Sequence, residues 1–123
     1  MEILKKSATC HCGAVELELL MPNGFEKPRR CTCSICRRKG AVVISVKREN
    51  LKVVRGEDNL QLYTFNTHVA RHYFCKTCGI YTHHLRRSDP SEYGVNSGCI
   101  EGVDPFAFTD VPVHDGQNHP SDR

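Results

Sequence analysis

The sequence predicts a mainly β domain with very little helix. Short segments alternate apolar and polar side chains, as half-buried strands do, and no long segment repeats its apolar residues with the 3.6-residue period of a helix. The 123 residues are the usual size of one domain. We expect this domain to span residues 1–112, and residues 113–123, which are polar and contain Gly and Pro, to form a C-terminal tail.

The first predicted strands are separated by turn signals. Residues 14–20 (AVELELL) place valine and two leucines on one face and two glutamates on the other. Residues 21–28 (MPNGFEKP) have the composition of a turn. Residues 41–46 (AVVISV) are β-branched, which is typical of a buried strand, and residues 47–51 (KRENL) are compatible with one helical turn.

The second half of the chain predicts a further series of strands. Two apolar runs are separated by the polar sequence EDN, and three later runs surround the third cysteine pair and Cys99. The predicted strands are residues 51–56, 60–65, 68–75, 80–85 and 92–100. Unpaired edges of such small sheets make a homodimer a reasonable expectation.

The charge distribution points to a basic site. The formal net charge is only +3, which by itself implies no nucleic-acid partner. Residues 27–39, however, carry six basic side chains and no acidic one, whereas acidic residues predominate after residue 100. No apolar run approaches the roughly 18 residues that a membrane span needs, and the start resembles no signal peptide. We therefore expect a cytoplasmic protein with no membrane partner.

Eight cysteines are several times the ordinary usage, and in a reducing compartment they bind metal more often than they form disulfides. Seven of them form three groups, which are Cys10 with Cys12, Cys31 with Cys33 and Cys36, and Cys75 with Cys78. The first and third groups together supply the four thiolates of a tetrahedral zinc site. The middle group then offers three ligands, and a zinc with three protein ligands keeps a fourth position for water or substrate.

Other interpretations of the cysteines remain open. They could form disulfides, although a Cys-x-Cys disulfide is strained. Both metals could be purely structural, with His11, His72, His83 or Cys99 as the eighth ligand. Cys33 and Cys36 could instead exchange electrons as a redox dithiol. Cys99 has the features of a small buried side chain, and the adjacent His83 and His84 would face opposite sides of a strand, where one could serve as a general acid or base.

The three motifs CxCG, CxCxxC and FCxxCG, in this order, resemble the glutathione-dependent formaldehyde-activating enzyme family, and the domain of centromere protein V is similar. The resemblance covers about residues 7 to 110. It implies an Mss4-like fold with two zinc ions per chain. It also implies that the first and third motifs hold a structural zinc, while Cys31, Cys33 and Cys36 hold the catalytic one. The implied reaction joins formaldehyde and glutathione into S-hydroxymethylglutathione, a carbon–sulfur lyase activity.

The function predicted on these grounds is a zinc-dependent lyase-like enzyme acting on a glutathione-type thiol and an aldehyde. Arg37 and Arg38 are candidates for binding the carboxylates of the thiol substrate, and His83 is a further candidate for substrate contact. The alternative is a non-catalytic zinc module that binds a partner or nucleic acid through the basic loop. Nucleic acid is the less favoured partner because the basic stretch is short and lacks interleaved aromatic residues.

Overall fold

The computed structural model describes residues 4–22, 24–65, 68–87 and 89–115. Within them it contains ten strands and one short α-helix, which confirms the mainly β prediction. In chain order the elements are β1 (Leu4–Thr9), β2 (Glu16–Met21), β3 (Glu26–Cys31), α1 (Ser34–Lys39), β4 (Val43–Lys47), β5 (Leu51–Arg55), β6 (Leu60–Tyr63), β7 (Arg71–Cys75), β8 (Tyr81–Leu85), β9 (Glu92–Asn96) and β10 (Val113–His114).

The strands form two sheets. The smaller has the order β1-β2-β5, and the larger has the order β10-β3-β4-β9-β8-β7-β6. All strand pairs are antiparallel except β10 with β3, which is parallel. Strand β10 lies inside the segment predicted as a tail, and the rest of that tail, from residue 116, lies outside the described residues.

The core lies between the two sheets. Leu17 and Leu19 on β2, the face that the alternating pattern predicts, are fully buried. They belong to one apolar cluster with Ile44 and Val46 of β4 and Val95 of β9. One face of the central strands of the larger sheet is therefore covered by the smaller sheet.

The opposite face of the larger sheet carries polar side chains. Ser45 pairs with Gly94, Gly94 pairs with His84, and His84 pairs with His72 across four neighbouring strands. Because side chains alternate between faces along a strand, this row points away from the core that Ile44 and Val95 share. The row leads from β4 towards the outer strands β7 and β6 and forms the floor of the candidate site.

Besides β10, the prediction missed two strands and the helix. Strand β3 replaces part of the turn expected at residues 21–28, and its sequence, EKPRRC, has no apolar alternation, so it depends on pairing with β4 and β10. Strand β1 has the weakly patterned sequence LKKSAT. Helix α1 spans six residues, which is too short to show a helical period. The predicted turn at residues 47–51 is confirmed as one turn of 3₁₀-helix at Arg48–Asn50.

Candidate metal centres and the adjoining cavity

Four cysteines from two distant parts of the chain meet at one point. The sulfurs of Cys10, Cys12, Cys75 and Cys78 all lie within 4.8 Å of one another. The Cys12 sulfur lies 3.7 Å from those of Cys10 and Cys75. A tetrahedral zinc with Zn–S bonds of about 2.3 Å requires sulfurs separated by about 3.8 Å. We call these residues the four-cysteine group, and its dimensions fit a tetrahedral ion.

The backbone on each side of the four-cysteine group is folded into a tight turn. The N–H of Gly13 donates to the Cys10 carbonyl at 3.2 Å, and the N–H of Gly79 donates to the Cys75 carbonyl at 2.8 Å. Both glycines have positive φ, 81° and 76°, which a side chain would strain. These turns bring the two sulfurs of each pair to one side, as ligands of one ion must lie.

Hydrogen-bond donors surround the sulfurs of the four-cysteine group. Cys75 Sγ accepts from the N–H of Thr77 at 3.3 Å and from the side-chain amide of Asn59 at 3.2 Å. Hydrogen bonding from the peptide N–H of Cys78, with the contribution of Thr77, lowers the pKa of the Cys75 thiol to about 6. These contacts therefore favour the thiolate form of Cys75, which is the form that binds metal.

The remaining three motif cysteines form a second group. The sulfurs of Cys31, Cys33 and Cys36 also lie within 4.8 Å of one another. Cys31 ends β3, Cys33 is the N-cap of α1, and Cys36 lies in its first turn. The Cys33 sulfur accepts the N–H of Cys36 at 3.3 Å, and the Cys31 sulfur accepts the N–H of Cys33 at 3.5 Å. We call these residues the three-cysteine group.

The thiols of the three-cysteine group share their protons unequally. Hydrogen bonds from the thiols of Cys31 and then Cys36 lower the pKa of Cys33 to about 2. The same contacts, from Cys31 first and then Cys33, raise the pKa of Cys36. Cys33 is therefore the first thiolate of the group, and it lies where the peptide N–H groups at the start of α1 favour negative charge.

Among the described residues, no fourth ligand joins the three-cysteine group. His11, His72, His83 and Cys99, which the second interpretation offers as an eighth ligand, belong to neither group. All eight cysteines are free thiols in this structure. Cys99 is 8% exposed, and its thiol donates weakly to the Tyr81 carbonyl at 3.6 Å. A metal held by the three thiolates would keep one position for another ligand.

A cavity of about 320 Å³ opens beside α1. Among the residues that the structure describes, its wall combines aromatic side chains with two basic side chains and includes no acidic one. The lining residues are Ile35, Arg38, Lys39, Tyr63, His72, Tyr73, Phe74, Gly79 and Tyr81. Ile35, Arg38 and Lys39 are neighbours of Cys36 on the helix, so the cavity adjoins the three-cysteine group. Its chemistry suits an anionic ligand.

A β-bulge shapes the floor of the cavity. Tyr73 pairs with His83 but Phe74 pairs with Tyr81, so β8 carries one extra residue at this point. The extra residue brings Tyr81 to the same face of the sheet as His84, and the Tyr81 hydroxyl lies 2.6 Å from His84 Nδ1. Burial raises the pKa of Tyr81 and lowers that of His84, so this pair is neutral at physiological pH.

The structure places the predicted substrate-contact residues at three different positions. Arg38 lines the cavity, and its guanidinium donates to the Ser34 carbonyl at 2.7 Å. Arg37 is exposed on α1. His83 is 3% exposed, pairs with Val95 of the core and bonds to the Thr82 hydroxyl at 2.8 Å. Their roles in substrate binding stay predictions.

A cluster of buried charged side chains lies at the β4 end of the polar row. Arg29 is 5% exposed and donates to the Ser45 hydroxyl at 2.6 Å. Glu92 is 2% exposed and binds Arg86 at 2.6 Å and Lys47 at 3.4 Å. This cluster was not predicted from the sequence. The available signal was Glu92, an isolated acidic residue at the start of a predicted strand, since a buried carboxylate requires cationic partners.

The fold and the site together define a small mainly β protein with two cysteine groups that could hold metal ions. Residues 5–110 match the family model described as glutathione-dependent formaldehyde-activating enzyme. The chain therefore belongs to this family, as the resemblance predicted. Within the part of the chain that the structure describes, no helix is long and apolar enough to cross a membrane.

Two known proteins are similar to this chain. A protein of Halomonas elongata, provisionally named as a glutathione-dependent formaldehyde-activating enzyme, is 32% identical over 79 residues. That match covers 57% of this chain and 49% of the relative, so the chain spans about half the length of this curated relative. A crystal structure of a Rhodobacter sphaeroides protein is 56% identical, covering 87% of this chain and 98% of that one, with a TM-score of 0.83.

Proposed function

We propose that this protein joins a glutathione-type thiol to formaldehyde, making or cleaving the carbon–sulfur bond of S-hydroxymethylglutathione. This is carbon–sulfur lyase chemistry. The observation that carries the proposal is the three-cysteine group, which lies beside a cavity with a cationic wall. Family membership and the name of the Halomonas relative support the choice of substrates.

We further propose two zinc ions per chain, with different roles. The four-cysteine group would bind a structural zinc, because its four sulfurs leave no position for a substrate. The three-cysteine group would bind the second. A zinc ion there would supply a Lewis acid and would stabilise a substrate thiolate at neutral pH. Reduced metal-binding cysteines suit a reducing compartment, and we place the activity in the cytoplasm.

The basic wall of the cavity has two effects in this proposal. Three thiolates and one zinc ion carry a formal charge of about −1, which would repel an anionic thiol. Arg38 and Lys39 lie on the helix that carries Cys36 and line the cavity, so their charges oppose that repulsion. They also offer N–H donors to the carboxylates of a glutathione-type peptide.

The reaction needs two proton movements. The thiol must lose its proton before its sulfur attacks the carbonyl carbon, and the oxygen of formaldehyde must gain one when the carbon–oxygen double bond becomes a single bond. The protein's own residues must therefore exclude competing water, orient the thiol and supply a proton at the carbonyl oxygen. The aromatic wall of the cavity, with Tyr63, Tyr73 and Tyr81, suits the first of these tasks.

The proposal is tested by metal content and exchange kinetics together. The wild-type protein is expected to carry two zinc ions and to accelerate exchange between glutathione, formaldehyde and their adduct, followed by NMR. Cys33→Ala is expected to keep the fold, lose one zinc and lose the acceleration. The matched control is Cys99→Ala, which removes a cysteine outside both groups and is expected to keep both zinc ions and the wild-type rate.

Two outcomes would contradict the proposal. One is a fully zinc-loaded wild-type protein that leaves the exchange at its uncatalysed rate. The other is unfolding of Cys33→Ala under conditions where the wild type is folded, because both metals would then be structural. Either result would favour the alternative of a non-catalytic zinc module.

A further inference from the structure

Lys39 occupies a special position in the cavity wall. It lies three residues after Cys36 on α1, and residues three apart on a helix are neighbours on its surface. Its side chain lines the cavity. Among the described residues, no carboxylate forms an ion pair with it. The three cysteines of the neighbouring group, in their thiolate form, favour the charged form of Lys39, Cys36 most and then Cys33 and Cys31.

Two neutral groups hold the Lys39 ammonium in place. Its Nζ lies 2.7 Å from His72 Nδ1 and 3.6 Å from the centre of the Tyr81 ring. Burial, with the nearby positive charge of Lys39, lowers the pKa of His72 to about 4, so its imidazole is neutral and accepts the hydrogen bond. An ammonium has three N–H donors, and His72 accepts one of them, which leaves donors for a ligand in the cavity.

The partners of Lys39 are themselves fixed. The His72 ring stacks on Phe65 at 5.8 Å and on His84 at 5.3 Å between ring centres. The Tyr81 hydroxyl is held by His84 at 2.6 Å. A lysine side chain ordinarily has many rotamers, and these contacts restrict it to one direction. The restraint holds the ammonium in the cavity wall, on the helix that carries Cys36.

We propose that Lys39 is the catalytic acid of the reaction: its ammonium binds the aldehyde oxygen and donates a proton to it as the thiol sulfur adds to the carbon. This inference rests on the proposed function and deepens it. His72 and Tyr81 are positioning residues, because they act on the reaction through Lys39.

The step balances without any further reactant. The carbon–sulfur bond forms from the sulfur electron pair, the carbon–oxygen π bond breaks, and its electron pair moves to oxygen. The proton of the Lys39 ammonium completes the hydroxyl. The resulting neutral amine accepts the proton that the next thiol releases when it ionises, so the net reaction is thiol plus formaldehyde giving the adduct. In the reverse direction the amine removes the hydroxyl proton as the carbon–sulfur bond breaks.

The environment favours an amine that exchanges protons near neutral pH. Burial lowers the pKa of Lys39 to about 8, and the charges of Cys36, Cys33 and Cys31 oppose that shift. General acids work best when their pKa lies near the operating pH. Arg38, the other cation in the wall, cannot take this role because a guanidinium does not release its proton in proteins.

Two substitutions distinguish proton donation by Lys39 from the effect of its positive charge. Lys39→Met removes both, whereas Lys39→Arg keeps the charge but provides no exchangeable acid. We expect both variants to bind two zinc ions and to exchange glutathione with its formaldehyde adduct about a hundredfold more slowly than wild type. The matched control is Lys52→Met, an exposed lysine on β5 of the smaller sheet, which is expected to keep the wild-type rate.

A second measurement does not depend on the rate. In spectra of protein with ¹³C-labelled lysine, the Lys39 resonance is assigned by its absence in Lys39→Arg. S-hydroxymethylglutathione is expected to shift this resonance, and S-methylglutathione, which lacks the oxygen, is expected to shift it much less. Equal shifts by the two compounds would overturn the inference, as would a wild-type rate in Lys39→Met or in Lys39→Arg.

The failure of this inference is distinguishable from that of the proposed function. A zinc-loaded wild type without any acceleration would contradict the function itself. A fast wild type with an equally fast Lys39→Met variant would contradict only the role of Lys39. Borohydride trapping provides a further distinction, because a methyl group trapped on Lys39 at the turnover rate would show that the amine attacks the carbon and is not the acid.

Discussion

The two cysteine groups use the same ligand chemistry in different surroundings. In the four-cysteine group, Cys10 and Cys75 are buried members of the apolar core. In the three-cysteine group every member is only half-buried, and the helix that carries Cys36 also lines the cavity. From this difference in ligand number and burial we predict that the four-cysteine group stabilises the fold and that the three-cysteine group serves the cavity.

The groups also differ in the length of chain that they close. The sulfurs of Cys12 and Cys75 meet across 63 positions, whereas the three-cysteine group lies within six consecutive residues. A bound metal would therefore constrain the unfolded chain far more at the four-cysteine group. Removing a ligand from each group tests whether this difference controls folding.

The largest expected effect is that of Cys75→Ala. Zinc binding to a structural site contributes roughly 10–16 kcal/mol, which is comparable with the whole stability of a small domain, roughly 5–15 kcal/mol. We expect Cys75→Ala to abolish the folded state at 25 °C, as measured by circular dichroism and by the dispersion of amide NMR signals. Cys36→Ala, the matched variant in the three-cysteine group, is expected to retain the native spectrum.

The opposite order of effects would contradict the roles that we predict for the two groups. If Cys36→Ala unfolds the chain while Cys75→Ala keeps it folded, the structural role belongs to the three-cysteine group and not to the four-cysteine group. Addition of a zinc chelator supplies an independent check. We expect it to remove the metal of the three-cysteine group first, with little change in circular dichroism, and to unfold the protein only when the second metal leaves.

The sequence predicts the cysteine groups because spacing is a local property. Two Cys pairs next to glycines, and one triplet, indicate which sulfurs could share an ion, and the structure brings those same residues together. Strand β3 and helix α1 were missed for the opposite reason. The first depends on pairing with distant strands, and the second is a six-residue segment that Cys33 caps. The Mss4-like fold and the ligand roles stay predictions.

The wall of the cavity could not be predicted, because its residues come together only through the register of the larger sheet. Lys39 and His72 are 33 positions apart, and Tyr81 reaches His84 because of a bulge in β8. A bulge has no signature in the sequence YTHHL. The sequence also does not reveal that the backbone at Gly94 lies directly against the His84 ring.

The next largest effect on stability is expected for Gly94→Ala, which alters the face of the larger sheet that carries the polar row and leaves the four-cysteine group unchanged. A Cβ at this position would lie 2.5 Å from Cε1 of His84 and 3.1 Å from Nη2 of Arg29. Such overpacking costs about 1–3 kcal/mol, and it moves the His84 ring away from the Tyr81 hydroxyl. We expect urea unfolding to show this loss and the ring signals of His84 to shift, while the zinc of the four-cysteine group stays bound.

Gly98→Ala is the matched control for Gly94→Ala. A Cβ at Gly98 would meet its nearest neighbour, Asn96 Oδ1, at 3.4 Å, which is ordinary contact. It is expected to change the free energy of unfolding by less than about 0.5 kcal/mol. Equal effects of the two substitutions would contradict the account of His84 as a ring packed directly against the backbone of β9.

The smallest expected effect tests the buried His83 of the larger sheet, which contributes cysteines to both groups. Burial lowers the pKa of His83 to about 4, below the ordinary value of about 6.5. As the pH falls from 7.5 to 5.5, the unfolded chain protonates this imidazole and the folded chain does not. His83 alone therefore accounts for a loss of about 1 kcal/mol of stability over this range, and its contribution stops growing below about pH 4. Burial also lowers the pKa values of His72 and His84, so these rings add to the total loss of the wild type in the same direction.

His83→Gln removes this contribution, so its free energy of unfolding should fall about 1 kcal/mol less than that of wild type between pH 7.5 and 5.5. Thr82→Val is the matched control. It deletes the 2.8 Å hydrogen bond to His83 Nδ1 but keeps the titrating ring, and it should retain the wild-type pH dependence. Parallel pH profiles for His83→Gln and wild type would show that the folded protein accepts a proton at this position. The acid sensitivity of the protein would then come from other groups, among them His72 and His84, whose pKa values burial also lowers.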